Sequence, residues 1–190
     1  MAQARTPVTP INGVDTERLR ETIDAIGTDV GCADFQFRAS NEWLGGAHNR
    51  SSFGSFRSSG AEDDTRQRTF TFDADEPLPL LGHDEGANPT EALLHALAAC
   101  LTTSLVYHAA AKGITVHRVE SRLEGDLDLR GFLGMDENVR NGYERIRVSM
   151  KVDCDGDMEQ VQRLVETAQE RSPVFDIVTN KVPVSVTSAA

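Results

Sequence analysis

Cys100 is the residue whose type and setting best suit chemistry. It lies near the middle of NPTEALLHALAACLTTSLVYHAAAK, residues 88–112, and hydroxyls follow it at Thr102, Thr103 and Ser104. A thiolate is a strong nucleophile, but it needs a cation, a helix N-terminus or a metal beside it to form at neutral pH. One helical turn away stand Ala96, Leu97, Thr103 and Ser104, and none of them can activate it. An activating arginine must therefore come from another part of the fold. Taken alone, a cysteine in an Ala- and Leu-rich helix is more often a small core residue than a nucleophile.

The other candidates carry less. His48, His83, His95, His108 and His117 form no H-x-x-x-H or H-E-x-x-H pattern, so spacing argues against a metal site. Five residues advance a helix by about 500°, which turns His95 away from Cys100. Cys32, Cys100 and Cys154 are odd in number and widely spaced, which suggests neither a disulfide framework nor zinc. Asp153-Cys154-Asp155-Gly156-Asp157 copies the start of a calcium loop. Leu164 stands where the closing Glu belongs, so a turn is expected. Neither a Gly-rich phosphate loop nor a Ser nucleophile elbow is present, and no cofactor is expected.

The element that must position Cys100 opens with three helix-start signals in register. Asn88 suits the N-cap. Pro89 falls at the first helical position, where its missing N–H costs nothing. Glu91 can reach back to the cap and complete a capping box. Lys112 suits the negative end of the dipole, and Gly113 suits a left-handed C-cap. Between these ends Ala, Leu and Val occupy every face, and a helix apolar all round is buried all round. At about 1.5 Å per residue it spans roughly 37 Å. His95, His108 and the three hydroxyls interrupt the apolar run, so a membrane span is not expected.

The rest of the chain reads as short elements around that helix. Its 190 residues, 39% hydrophobic and 26% charged, can build a real core in one domain. The net charge of −11 disfavours nucleic acid and anionic membrane surfaces as partners. The polar start MAQARTPVTPING resembles no signal peptide, so a cytoplasmic location is expected. Residues 1–13 read as a loose lead, and Asp15 to Ile26 as an amphipathic helix ended by Gly27. Alternation predicts strands from Phe35 towards Trp43, from Ser51 to Arg57 and from Thr69 to Asp73, with a turn or bulge at Leu44-Gly45-Gly46. Ser58 to Thr65 reads as a polar loop, and Asp75-Glu76-Pro77-Leu78-Pro79 as a break. Later come strands over 116–129 and 146–152, with a loop from Arg130 to Gly142 between them. A helix opening at Gly156 or Asp157 follows, and a last strand runs from Val182 to Val186. Antiparallel runs interrupted by helices define an α+β fold. Two small sheets and one partner helix can hardly cover an all-apolar helix, so a symmetric homodimer is expected from burial.

Asn88-Pro89-Thr90-Glu91, then Ala98-Ala99-Cys100, then Ser172-Pro173-Val174-Phe175 resemble the signature of the OsmC/Ohr family, osmotically inducible protein C and organic hydroperoxide resistance protein. The likeness runs from about Arg38 to Val186. It implies an OsmC-like intertwined homodimer in which two small antiparallel sheets wrap long central helices. On this reading residues 1–30 are an N-terminal extension with a short helix, and residues 31–190 the OsmC-like domain. The resemblance implies a cysteine-based peroxidase, a peroxiredoxin-like oxidoreductase of oxidative stress defence. Cys100 matches the residue that attacks the peroxide. An arginine of the N-terminal sheet steadies that thiolate in the family, and Arg50 is the first candidate, with Arg38 behind it. Glu91 is the nearest match to the family carboxylate, but Thr90 stands directly after Pro89, where the family keeps Glu. One residue rotates a helical side chain by about 100°, which leaves Glu91 almost opposite Cys100 and better suited to capping. Ser172-Pro173 stands where the family keeps its second, resolving cysteine. The implied partners are a second copy, a small hydroperoxide or apolar ligand, and an external thiol reductant, since the resolver is absent. The alternative is a small-molecule-binding dimer of the same fold, non-catalytic or with different chemistry.

Overall fold

The computed structural model describes residues 9–188. Residues 1–8 of the expected loose lead lie outside them. The chain forms two compact units, residues 9 and 15–93 in the first and residues 10–14 with 94–188 in the second. Its small antiparallel sheets and interleaved helices are the α+β fold expected.

The first unit starts with helix α1 (Thr16–Thr28), capped by Asp15, whose carboxylate accepts from the N–H groups of Glu17 and Arg18. It continues one residue past Gly27. Two three-stranded antiparallel sheets follow. One joins β1 (Phe35–Gln36), β4 (Phe56–Ser58) and β5 (Ala61–Asp63) in the order β1-β4-β5. The other joins β2 (Ser40–Gly45), β3 (His48–Phe53) and β6 (Phe70–Ala74) in the order β2-β3-β6. A register shift between Trp43 and Gly45 is the expected bulge. Three sequence expectations need correction, the first being that the run from Phe35 towards Trp43 is two strands, β1 and β2, in different sheets. The single strand from Ser51 to Arg57 is broken between Phe53 and Phe56, and the polar loop from Ser58 to Thr65 contains β5. Ser59 and Gly60 both take positive φ, 50° and 75°, which closes a tight hairpin between β4 and β5.

Helix α2 (Pro89–Ala111) carries the chain into the second unit. There follow β7 (Val116–Asp126), the short α3 (Leu129–Phe132), β8 (Arg145–Cys154), α4 (Met158–Arg171) and α5 (Pro173–Thr179). The α3 turn lies at the start of what reads as a loop, where the Asp128 carboxylate accepts from the Arg130 N–H at 3.0 Å. β7 and β8 pair antiparallel along their length. The core of this unit is Leu105 and Ala109 of α2 against Leu164 and Ala168 of α4, all fully buried. Val119, Met150 and Val152 of the sheet pack on it. Alternation drives the rest of the sheet outward, where Arg147 pairs with Glu124 and Asp126. The segment from Val182 to Val186 is not a strand. It alternates, but among the described residues it joins no ladder, and Val184 and Val186 stand exposed.

The ends of α2 follow their sequence signals. Gly113 takes φ 73°, its N–H bonds Ala110 O, and the Ile114 N–H bonds Ala109 O, which is a Schellman cap. Only Leu97, Leu101, Leu105, Ala109 and Ala110 are buried. His95, Ala99, Thr103 and Tyr107, four residues apart, form an exposed stripe. By length and composition alone this helix would also suit a membrane span. Leu105 and Ala109 nevertheless belong to the protein core.

Candidate functional site

Cys100 is half-buried on α2. Helical geometry places it at the border of the exposed stripe, near Tyr107 and Leu93, each seven residues away. Tyr107 is 50% exposed and Leu93 37%. No histidine of α2 serves the thiol. His95 projects elsewhere, and His108 lies about 12 Å further along the axis. Burial, then the charges of Lys112 and Arg171, push the His108 pKa down.

Glu91 shares the helix with Cys100 but not its face. Nine residues advance the helix by about 900°, half a turn from alignment. The Glu91 carboxylate accepts from the Asn88 N–H at 3.0 Å, which is the capping-box bond. Asn88 Oδ1 accepts from the N–H and hydroxyl of Thr90, at 2.7 and 2.6 Å. Both side chains at the helix start are thus engaged in capping.

Arg50 lies on β3 in the first unit. Its Nε donates to Asp73 Oδ1 at 2.7 Å and its Nη2 to Asp73 Oδ2 at 3.1 Å, a side-on bidentate pair. The two residues face each other in the β3–β6 register. His48 Nε2 lies 3.3 Å from Asp73 Oδ1. Hydrogen bonding to Arg50 holds the Asp73 carboxyl below its ordinary range and raises the guanidinium in turn. Arg38, between β1 and β2, is similarly held by Glu62 of β5.

The lead into α2 rests on acidic residues that read in sequence only as a break. Asp75 is fully buried. Its carboxylate accepts from the N–H groups of Glu76, His83 and Glu85, at 2.8, 3.0 and 3.2 Å. Glu76 in turn accepts from the side-chain amide of Asn88, which leaves Asn88 Oδ1 facing Thr90. Gly86 passes so close that a Cβ there would overlap the Asp73 carbonyl. Asp73, Asp75 and Glu76 therefore link the sheet bearing Arg50 to the start of α2. Strand register decides this arrangement, and no local pattern announces it. Burial would push the Asp75 carboxyl up; the three N–H donors outweigh it and hold the pKa below the ordinary value. That stabilisation is full above the usual aspartate pKa of about 4 and fades as pH falls through the lower folded-state value. Asp75→Asn is expected to speed amide exchange at His83 and Glu85 and to weaken the acid-dependence of stability below about pH 4. Unchanged protection of both amides would contradict this role.

Ser172 is the residue that the family resemblance sets against a second cysteine. It is 2% exposed, and its hydroxyl accepts from the Phe175 N–H at 3.1 Å as the N-cap of α5. The local signal was in the sequence: Ser-Pro at the start of a helix.

Fold and site thus define an α+β protein with a thiol on a long, incompletely covered helix. The family model for OsmC-like protein matches residues 82–187, more than half the chain, so the chain belongs to the OsmC-like family. Among curated protein sequences nothing matches. Solved structures with the same fold include an OsmC-like protein from Mycoplasma pneumoniae, 18% identical, with a TM-score of 0.57 over 77% of this chain and 89% of that one. An organic hydroperoxide resistance protein from Elizabethkingia anophelis is 18% identical, with a TM-score of 0.51 over 76% and 89%. The organic hydroperoxide resistance protein OsmC from Legionella pneumophila is 17% identical, with a TM-score of 0.50 over 75% and 88%. At these identities the likeness is one of fold.

Proposed function

We propose that the protein is a thiol-dependent peroxidase that reduces organic hydroperoxides at Cys100, working as a homodimer. The observation that carries this reading is the half-buried Cys100 at the border of the exposed stripe of the family helix. Two of the structural neighbours are named hydroperoxide resistance proteins, which supports the substrate class. A second copy covers the stripe, because an apolar helix with only five of its 23 residues buried leaves much of its surface in water. The covered stripe gives Cys100 an apolar pocket, and a thiolate there needs a cation beside it. No separate oxidant, metal or cofactor enters the reaction.

The Cys100 thiolate attacks the terminal peroxide oxygen. An S–O bond forms, the O–O bond breaks, and the departing alkoxide takes a proton and leaves as alcohol. Cys100 is left as a sulfenic acid. Ser172 offers a hydroxyl that caps α5, not a thiol, so an external thiol condenses with the sulfenic acid and releases water. A second external thiol then attacks the mixed disulfide, leaves as the external disulfide and restores Cys100. Thiol-dependent consumption of an organic hydroperoxide by wild type and Cys100→Ser tests this directly. The variant is expected to lose more than about 99% of the rate, as removal of a nucleophile does. Equal rates would reject it. Cys32→Ser and Cys154→Ser are expected to leave the rate unchanged.

The alternative, a ligand-binding dimer without thiol chemistry, draws support from the capping roles of Thr90 and Ser172. It expects the same ligand-dependent thermal stabilisation in wild type and Cys100→Ser, with no hydroperoxide turnover in either.

A further inference from the structure

Asn12 and Asn141 are the two asparagines of the chain that are followed by glycine. Glycine has no Cβ, so its backbone nitrogen is open to attack the preceding side-chain amide, and its φ and ψ are free to turn into that attack. The fold treats the two steps differently. Asn12 is half-buried, and both ends of its side-chain amide are engaged. Its Nδ2 donates to Ile114 O at 2.9 Å, and its Oδ1 accepts from the Val116 N–H at 2.8 Å. Asn141 is exposed in the connection between α3 and β8, and among the described residues its side chain has no hydrogen-bond partner. The Arg140 side chain reaches over the glycine that follows. Its Nε lies 3.9 Å from the place a Cβ on Gly142 would take, and among the described residues Arg140 has no carboxylate partner.

We infer that Asn141 is a site of spontaneous deamidation, an ageing mark that the fold permits there and blocks at Asn12. The Gly142 nitrogen gives up its proton and attacks Asn141 Cγ. A C–N bond forms, and the side-chain nitrogen leaves as ammonia. Water then adds to either carbonyl of the five-membered succinimide and breaks one of its two C–N bonds, which leaves aspartate or isoaspartate. Nothing is oxidised or reduced. The Arg140 charge favours ring closure, because negative charge builds on the attacking nitrogen and then on the amide oxygen. At Asn12 two hydrogen bonds must break before the side chain can swing onto Gly13, and each is worth about a fivefold change in population.

The product alters the loop as well as its charge. Isoaspartate adds a methylene to the main chain between two seated neighbours. The Arg140 carbonyl lies over Gly131 and the Tyr143 ring over Gly125, each so close that a Cβ on the glycine would overlap it. Just beyond, the Glu144 N–H bonds Asp126 O at 2.8 Å. A longer main chain between these seats displaces one of them and loosens the Glu144 bond, whereas aspartate adds charge alone.

The test holds the full-length protein for weeks in mildly alkaline buffer, digests it after glutamate and maps the peptides by mass. Fragment 138–144 carries Asn138 and Asn141 together, so its fragmentation shows which has become acid, and Asn138, followed by valine, is the control. Asn141 is expected to convert at least about tenfold faster than Asn12 in the folded protein. The two rates are expected to converge in urea, where the Asn12 bonds are gone. Gly142→Ala has room beside the Arg140 side chain and is expected to slow Asn141 conversion at least about tenfold. Arg140→Gln is expected to slow it about threefold. The Glu144 amide is expected to exchange about tenfold faster in the isoaspartate form and at the wild-type rate in Asn141→Asp. Equal conversion of Asn12 and Asn141 in the folded protein would overturn the inference, as would an Asn141 that survives while the unfolded chain converts. A wild-type rate in Gly142→Ala would contradict ring closure, and one in Arg140→Gln would remove the arginine from the reaction.

Discussion

Replacing Ala99 with Glu is expected to turn a dimer into a monomer. Ala99 is exposed in the single chain, in the middle of the stripe that includes His95, Thr103 and Tyr107. In the proposed dimer that stripe is covered by a second copy. A carboxylate placed there must lose its water without gaining a partner, which costs several kcal/mol. Two copies bring two such charges to one interface, and symmetry sets them on the same surface. The dissociation constant should rise by more than about a hundredfold, which corresponds to about 2.7 kcal/mol. Sedimentation equilibrium reads the result. Wild type is expected at twice the chain mass at micromolar concentration, and Ala99→Glu at the chain mass. If wild type sediments as a monomer, or if the charge changes nothing, the stripe faces water and the proposed pocket does not exist.

Leu105→Ala is expected to destabilise the fold by about 2–5 kcal/mol. Leu105 is fully buried and lies where α2 meets α4, against Ala109, Leu164 and Ala168. Two of those three neighbours are alanines, which cannot extend into the space. The loss therefore combines transfer of the leucine with a retained cavity. A typical domain has about 5–15 kcal/mol in total, so the effect should be plain in urea titration and in thermal melting. A change below about 1 kcal/mol would mean that the core of the second unit is not where the packing puts it. The same substitution should affect Cys100 chemistry little, because residue 105 lies on a different face of α2.

The sequence was informative where structure is set locally. Asn88, Pro89, Glu91 and Gly113 delimited α2 to within a residue or two, because caps act over one turn. Asp157 opened α4 with a full capping box to Gln160, at the place the apolar stripe suggested. The composition of α2 shows no polar face and so promised burial all round, yet the single chain covers only part of it. What stayed hidden depends on pairing between distant strands. Nothing in His48, Arg50 and Asp73 as letters says that they share one face, since that follows from the β3–β6 register. Asp75 read as a breaker before two prolines, whereas it is a buried anchor whose partners come up to ten residues later. The Val182–Val186 alternation promised a strand, but a ladder needs an edge to join, and alternation cannot supply one. Ser172-Pro173 was legible as the end of one helix or the start of a new turn, and Ser172 does both, closing α4 and capping α5.

The most direct measurement is to trap the oxidised thiol. Full-length protein is treated with one equivalent of an organic hydroperoxide in the presence of dimedone, digested, and read by mass spectrometry. The dimedone adduct is expected on the peptide that carries Cys100 and on neither Cys32 nor Cys154, and it is expected to disappear when an external thiol is added before dimedone. No adduct at Cys100, or equal labelling of all three cysteines, would contradict a dedicated peroxide-reducing thiol on this helix.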